Sequence, residues 1–187
     1  MKCSYLDLHG THLLLLLHDF ALGVINSRQP NEIIRRGTPY MERWMIGRKM
    51  AVPTFVASRS RLDEECRADD QTPMPTEVEN AFLHRFLRND AESQHCHPWW
   101  NFSLVLRGRY VEEVAGGDRF ERRPGGWVWR DAHDRHAIVE VEPGTISLFV
   151  TGPKEREWGF WPDGDTFVHH TEWTAWRHAN GLLPEGS

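Results

Sequence analysis

The chain is poor in cysteine: it has three in 187 residues, Cys3, Cys66 and Cys96, at no paired spacing. So sparse and odd a set argues against a disulfide framework and suits reduced thiols in a cytosol. It also lacks a long apolar run. The one candidate, Leu13–Ile25, is too short to span a bilayer and is interrupted by His18 and Asp19. Only Lys2 precedes it and no small-x-small cleavage site follows cleanly, so the run reads as a buried or amphipathic helix, and neither a membrane anchor nor secretion is expected. Positive charge is not in excess: 22 basic against 27 acidic residues give a formal net charge of −5. That balance argues against nucleic acid or an anionic membrane surface as a general partner. There is no internal repeat and no low-complexity tract.

What the chain does have is enough apolar material for a globular core, 40% hydrophobic against 26% charged residues, together with nine Trp and eleven His. Residues 1–29 are separable: His12–Ile25 is rich in Leu and predicts one helix ending before Asn26-Ser27, with Pro30 preventing its continuation. From Pro30 the texture changes to short β-like runs: Glu32–Arg36, Tyr40–Ile46, Ala51–Ala57, Ala81–Arg88, Phe102–Leu106, Tyr110–Val114, Arg119–Arg122, Trp127–Arg130, Ala137–Val141, Ile146–Val150 and Glu157–Trp161. Turn residues such as Arg107-Gly108, Gly116-Gly117, Pro124-Gly125-Gly126 and Pro143-Gly144 separate them. Many short strands with regular turns argue for an all-β sandwich or barrel over residues 30–170. Ser58–Glu79 breaks the rhythm as a polar loop insertion. Thr171–Asn180, with Thr171 as the N-cap candidate, predicts a short helix within a 171–187 tail.

Function must then come from convergent histidines. His95-Cys96-His97 is the strongest local signal, because residues i and i+2 of a strand point to one face and both imidazoles can reach one ion. Cys96 should then face the opposite way, into the wall. An H-x-H pair alone is weak evidence, and its surroundings strengthen it. Three residues separate His97 from Asn101, and six more lead to Gly108. Further on, Gly125 is followed by five residues, then Asp131, Ala132, His133, two residues and His136.

In this arrangement the chain resembles the cupin superfamily, whose two signature motifs are H-x-H, three or four residues, Glu, six residues, Gly; and Gly, five residues, Pro-x-Gly, two residues, His, three residues, Asn. His95, His97 and Gly108 match the first, with Asn101 where Glu is usual. Gly125 and His136 match the second, with Asp131, His133 and Glu140 replacing Pro, Gly and Asn. The resemblance covers roughly residues 80–151. The runs around Leu83–Arg88, His97–Trp99 and Thr151–Phe160 also look like cupin-like proteins of bacterial and phage genomes, which supports the fold and supplies no reaction.

The resemblance implies an all-β, double-stranded β-helix (jelly-roll) barrel with an N-terminal and a short C-terminal helix. It also implies one divalent metal ion per chain on His95, His97 and His136, with Fe(II) favoured and Zn or Ni as alternatives. Asn101 cannot supply the usual carboxylate charge, so the shell would be three neutral imidazoles, as in some cupin thiol and diketone dioxygenases. Asn101, His133 and His84 would then be weak ligands or hydrogen-bonders to the ligands. A nearby carboxylate, Asp131, Glu112 or Glu113, is an alternative fourth group, although none sits at the family position. Arg85 and Arg130 are candidates to bind an anionic substrate group, and Trp99 to wall the pocket beside His97.

Three functions stay open: an Fe(II) oxygenase or dioxygenase acting on a small organic substrate, a Zn- or Ni-dependent isomerase-type cupin, and a small-molecule-binding module without turnover. A 2-oxoglutarate oxygenase is disfavoured, because the pair is His-x-His and no Arg or Lys follows His136 before Lys154. The expected partner is a small-molecule substrate, and an exposed edge within residues 30–57 would permit a homodimer.

Overall fold

Alternating apolar and polar positions after Pro30 produce strands, and the computed structural model shows how they pair; it describes residues 2–5, 8–35, 38–51, 77–89 and 93–182. In chain order the elements are β1 (Lys2–Tyr5), α1 (Leu8–Ser27), β2 (Asn31–Arg35), β3 (Thr38–Ala51), β4 (Glu77–Phe86), β5 (Gln94–His95) and β6 (Asn101–Arg107). There follow β7 (Tyr110–Val114), β8 (Arg119–Arg122), β9 (Gly126–Arg130), β10 (His136–Val141), β11 (Thr145–Thr151), β12 (Gly159–Trp161), β13 (Val168–His169) and α2 (Trp173–Ala179).

The described strands form two antiparallel sheets, ordered β1-β9-β6-β11-β4-β3-β2 and β13-β12-β5-β10-β7-β8. Within them the eight consecutive strands β4 to β11 alternate between layers, as β4-β11-β6-β9 and β5-β10-β7-β8. That order is the jelly roll, in which neighbouring strands are distant in sequence, β7–β8 being the one consecutive pair among these eight. The fold is therefore the cupin-like jelly roll that the two motifs imply, its large sheet extended by β1 beside β9 and by β3 and β2 beside β4, and its small sheet by β12 and β13 beside β5.

Each face of the large sheet has its own job, fixed by the two-residue period of the strand. On the outer face Trp44, Leu83, Phe102, Leu104, Leu106 and Ile146 pack against Ala21 and Val24 of α1, with Leu14 and Leu17 at its margin. The helical spacing of 14, 17, 21 and 24 supplies this stripe. Fully burying a side chain such as Leu83 stabilises the fold by roughly 1.5–3 kcal/mol. The helix ends where Ser27 Oγ and Arg28 N both bond to Val24 O. Trp44 Nε1 then donates to Arg28 O at 2.9 Å and fastens the exit to the sheet. No described helix is long and apolar enough to cross a membrane. On the inner face, Phe86 packs with Tyr40 and Met41 and reaches Ile138 and Val141 of the opposite sheet.

The two motif glycines sit at turns that need them. Gly108, between β6 and β7, has φ +72°, and a Cβ there would meet Thr145 Oγ1 at 2.4 Å. Gly125, between β8 and β9, has φ +84°. Only glycine adopts these conformations without penalty.

Several expectations are corrected. β1 is an unforeseen strand; α1 begins earlier and runs through Ser27; Tyr40–Ile46 is part of one strand extending to Ala51. Residues 77–79, assigned to the polar loop, open β4 instead, because Val78 alternates into the core. The remainder of that loop and the expected strand residues 52–57 lie outside the described residues, as does Cys66. Strand β12 begins at Gly159 rather than Glu157. The N-cap of α2 is Glu172, and Thr171 is not the cap.

Candidate metal centre

β5 is only two residues long, so His95 lies on the strand and His97 just beyond it. His136 opens β10 and stands directly opposite His95 in the antiparallel register. The three rings meet: centroids are 5.2 Å apart for His95 and His97, 4.9 Å for His95 and His136, and 5.2 Å for His97 and His136. One nitrogen from each lies within 4.8 Å of the others, and the Nε2 atoms of His97 and His136 are 3.0 Å apart. Cys96 is completely buried.

The environment keeps His97 neutral. Burial, the neighbouring His95 and His136, and the charges of Arg130 and Arg43 together hold His97 well below its ordinary pKa. A neutral imidazole offers a lone pair, which is what a cation requires.

Behind His136 stands a buried ion network. Glu112 on β7 is fully buried, and its Oε1 lies 2.9 Å from His136 Nδ1. Arg130 on β9 donates Nε to the same oxygen at 2.6 Å, and Arg122 on β8 donates Nε and Nη2 to Oε2 at 3.2 and 3.1 Å. Burial alone would raise the carboxyl pKa; Arg130, His136 and Arg122 overcome it and hold Glu112 ionised. Arg130 Nη1 also donates to Asn101 Oδ1 at 3.0 Å. The carboxylate thus holds the Nδ1 side of His136 and leaves Nε2 facing His97, the usual way a ligand imidazole is oriented.

The structure gathers some expected residues and disperses others. Asn101 is fully buried and tied through Arg130 to Glu112, so it belongs to the network behind His136. Trp99 stacks beside His97 with centroids 6.5 Å apart. Among the described residues, Asn101 Nδ2 and Trp99 Nε1 are buried donors with no hydrogen-bond partner. His84 faces the interior, stacked on Phe149 at 4.8 Å, and Phe149 in turn lies 5.9 Å from His97. His133 is elsewhere: it is exposed on the turn before β10 and pairs with Asp131.

Arg130 is engaged by Glu112 and Asn101 rather than open toward a pocket. Arg85 alternates with His84 and so lies on the outer face, bonded to Glu42 and over Trp44. Of the three carboxylates considered, Glu112 reaches the site, whereas Asp131 lies on the surface and Glu113 pairs with Arg119. Sequence reasoning missed Arg43, which donates Nε to His84 Nε2 at 3.0 Å and lies over Phe82. Its signal was alternation: Met41 and Arg43 share the inward face of β3.

No family model matches the chain, and no curated protein matches it in sequence. Among solved structures it is similar to KdgF from Halomonas sp., with TM-score 0.48 and 14% identity over 71% of this chain and 94% of that one. It is also similar to Fe(II) HppE, with TM-score 0.43 and 12% identity over 69% of this chain and 58% of that one. A third is the salicylate 1,2-dioxygenase from Pseudoaminobacter salicylatoxidans in complex with gentisate, with TM-score 0.40 and 8% identity over 78% and 32%. At such identities and scores these neighbours say nothing of this chain's reaction, and the jelly-roll assignment stands on strand order. The class is thus set: a cupin-like jelly roll with three converging imidazoles between its sheets.

Proposed function

We propose that the protein is a mononuclear metal enzyme, an Fe(II)-dependent oxygenase acting on a small anionic organic substrate. The observation that carries the reading is the pairing of three converging imidazoles with a buried, ionised carboxylate behind one of them. Structural imidazoles need no such arrangement, whereas ligand imidazoles usually have it. Three imidazole nitrogens within 4.8 Å of one another would hold one divalent ion and leave positions open to water, O₂ or substrate. Iron in this shell supplies redox chemistry with O₂ and open positions for a chelating substrate.

The chain's own groups do the rest. Glu112 holds a proton at His136 Nδ1, and Arg130 and Arg122 keep Glu112 charged. Trp99 and Phe149 make an apolar wall around His97 and exclude water. Asn101 Nδ2 and Trp99 Nε1 are donors for substrate oxygen atoms. Arg43 takes the anion-orienting part earlier assigned to Arg85 or Arg130, since its charge reaches His97. The buried thiol Cys96 suits a reducing cytoplasm, and β2, at the edge of the large sheet, would pair two copies as a homodimer.

The test is elemental analysis of protein purified anaerobically, beside a His95→Ala/His136→Ala variant. About one iron per chain, absent from the variant, supports the reading. Tightly held zinc at the same residues would make it a Lewis-acid, isomerase-type cupin instead. No uptake of Fe, Zn or Ni on reconstitution would leave a metal-free binding module.

A further inference from the structure

A second cluster of metal-ligating side chains lies apart from the barrel centre, where His169 and His170, adjacent in sequence, meet Glu157. His169 Nε2 is 3.4 Å and His170 Nε2 3.7 Å from the same oxygen, Glu157 Oε2, and one ligand atom from each residue lies within 4.8 Å of the others. Both histidines are half-buried and turned toward one carboxylate.

Each ring is held from behind. Thr171 Oγ1 lies 2.7 Å from His169 Nδ1, engaging that nitrogen and leaving Nε2 toward Glu157. The ring of His170 lies flat on Trp158, with centroids 4.8 Å apart and planes within 5°, while its backbone N donates to Trp158 O at 3.2 Å. Lys154 takes the other oxygen of Glu157, so Oε2 is the atom presented to both imidazoles.

We propose that Glu157, His169 and His170 form a second divalent metal site, a two-imidazole, one-carboxylate set suited to zinc and distinct from the three-histidine centre. The ion clamps the stretch before β12 to the turn between β13 and α2. That unit backs the barrel centre: Phe160 lies 5.9 Å from the ring of His95 and stacks on Trp173 at 4.3 Å. The second site therefore stiffens the wall on which His95 stands.

The experiment is a zinc titration of the full chain against a chromophoric chelator, with Co(II) substitution as a geometric readout. In His95→Ala/His136→Ala protein, one equivalent of zinc binds and Co(II) gives the intense visible absorption of a tetrahedral centre. His169→Gln/His170→Gln loses both, and so does Glu157→Gln, a milder surface change that serves if the double variant folds poorly. Zinc also raises the melting temperature of His95→Ala/His136→Ala protein and leaves that of Glu157→Gln in the same background unmoved. If the His95/His136 variant binds no zinc, or binds it equally after the Glu157 and His169/His170 changes, the site is wrong. Wild-type protein that binds one zinc, retained without His95 and His136, would sink the barrel-centre reading and leave this one standing.

Discussion

Glu112 Oε1 and His136 Nδ1 lie 2.9 Å apart in the interior of the barrel, and the same oxygen accepts a hydrogen bond from Arg130. A carboxylate there does two jobs: it orients a ligand imidazole, and it pairs with two buried guanidinium groups, offsetting one of their two charges. Glu112→Gln keeps the shape and removes the charge. Loss of this second-layer partner should weaken metal affinity by about 10- to 100-fold, and leaving Arg130 and Arg122 unpaired should lower stability by about 3–5 kcal/mol. Chelator competition and urea unfolding of the variant measure the two effects separately. An unchanged metal affinity would make the network purely structural.

His84 gives a pH signature away from the ligands. Burial, then the charge of Arg43, holds its pKa well below the ordinary value. In the unfolded chain the imidazole takes up a proton as pH falls through about 6.5, while in the fold it stays neutral to much lower pH. The unfolded state therefore binds more protons, and stability falls as pH drops, by up to about 1.4 kcal/mol per pH unit from this group. His84→Gln, which retains an acceptor for Arg43 Nε, should reduce the slope of unfolding free energy between pH 6 and 5 by about that amount. Equal slopes in the two proteins would show that His84 protonates in the folded state.

Gly108 ties motif to geometry. Its φ of +72° is unfavourable for any residue with a Cβ, and that Cβ would meet Thr145 Oγ1 at 2.4 Å and Thr145 Cα at 2.9 Å. Gly108→Ala should cost about 2 kcal/mol or more. Adding Thr145→Ala should fail to restore stability, because the backbone atom remains in the way. Thermal melts of the single and double variants decide it, and full rescue would contradict the backbone clash.

How legible the sequence was depends on the range of the interactions. Strands β7 and β8 run over the expected residues, because the turn between the sheets at Gly108 and the hairpin turn at Gly116-Gly117 fix their ends locally. The jelly-roll class was reached through the resemblance that motif spacing carries, and the order of the strands was not, since most of its pairings join strands distant in the chain. His95, His97 and His136 share a register that two short motifs mark. The Glu112 network has no such mark: it is assembled across β7, β8 and β9, and Glu112 and Glu113 are indistinguishable until the pleat assigns them opposite faces. Arg85 was misplaced for the same reason, because the inward position of His84 turns its neighbour outward.

That pleat makes a sharp prediction about anion binding. Arg43 and His84 share the interior face and the charge of Arg43 is felt at His97, whereas Arg85 lies outside over Trp44, bonded to Glu42. A guanidinium in the interior can hold a substrate carboxylate through two parallel hydrogen bonds, an interaction of about 1.5–3 kcal/mol. Arg43→Gln should therefore weaken binding of small carboxylates to the metal-loaded protein by roughly 10- to 100-fold, since each 1.4 kcal/mol is about tenfold. Arg85→Gln should leave that affinity within about twofold and lower stability slightly, by less than about 1 kcal/mol, as for a partly exposed ion pair on the outer face. Calorimetric titration with a panel of mono- and dicarboxylates, run on both variants, checks the contrast. If Arg85→Gln lost affinity and Arg43→Gln did not, ligand would be entering from the helix side of the sheet rather than between the two sheets.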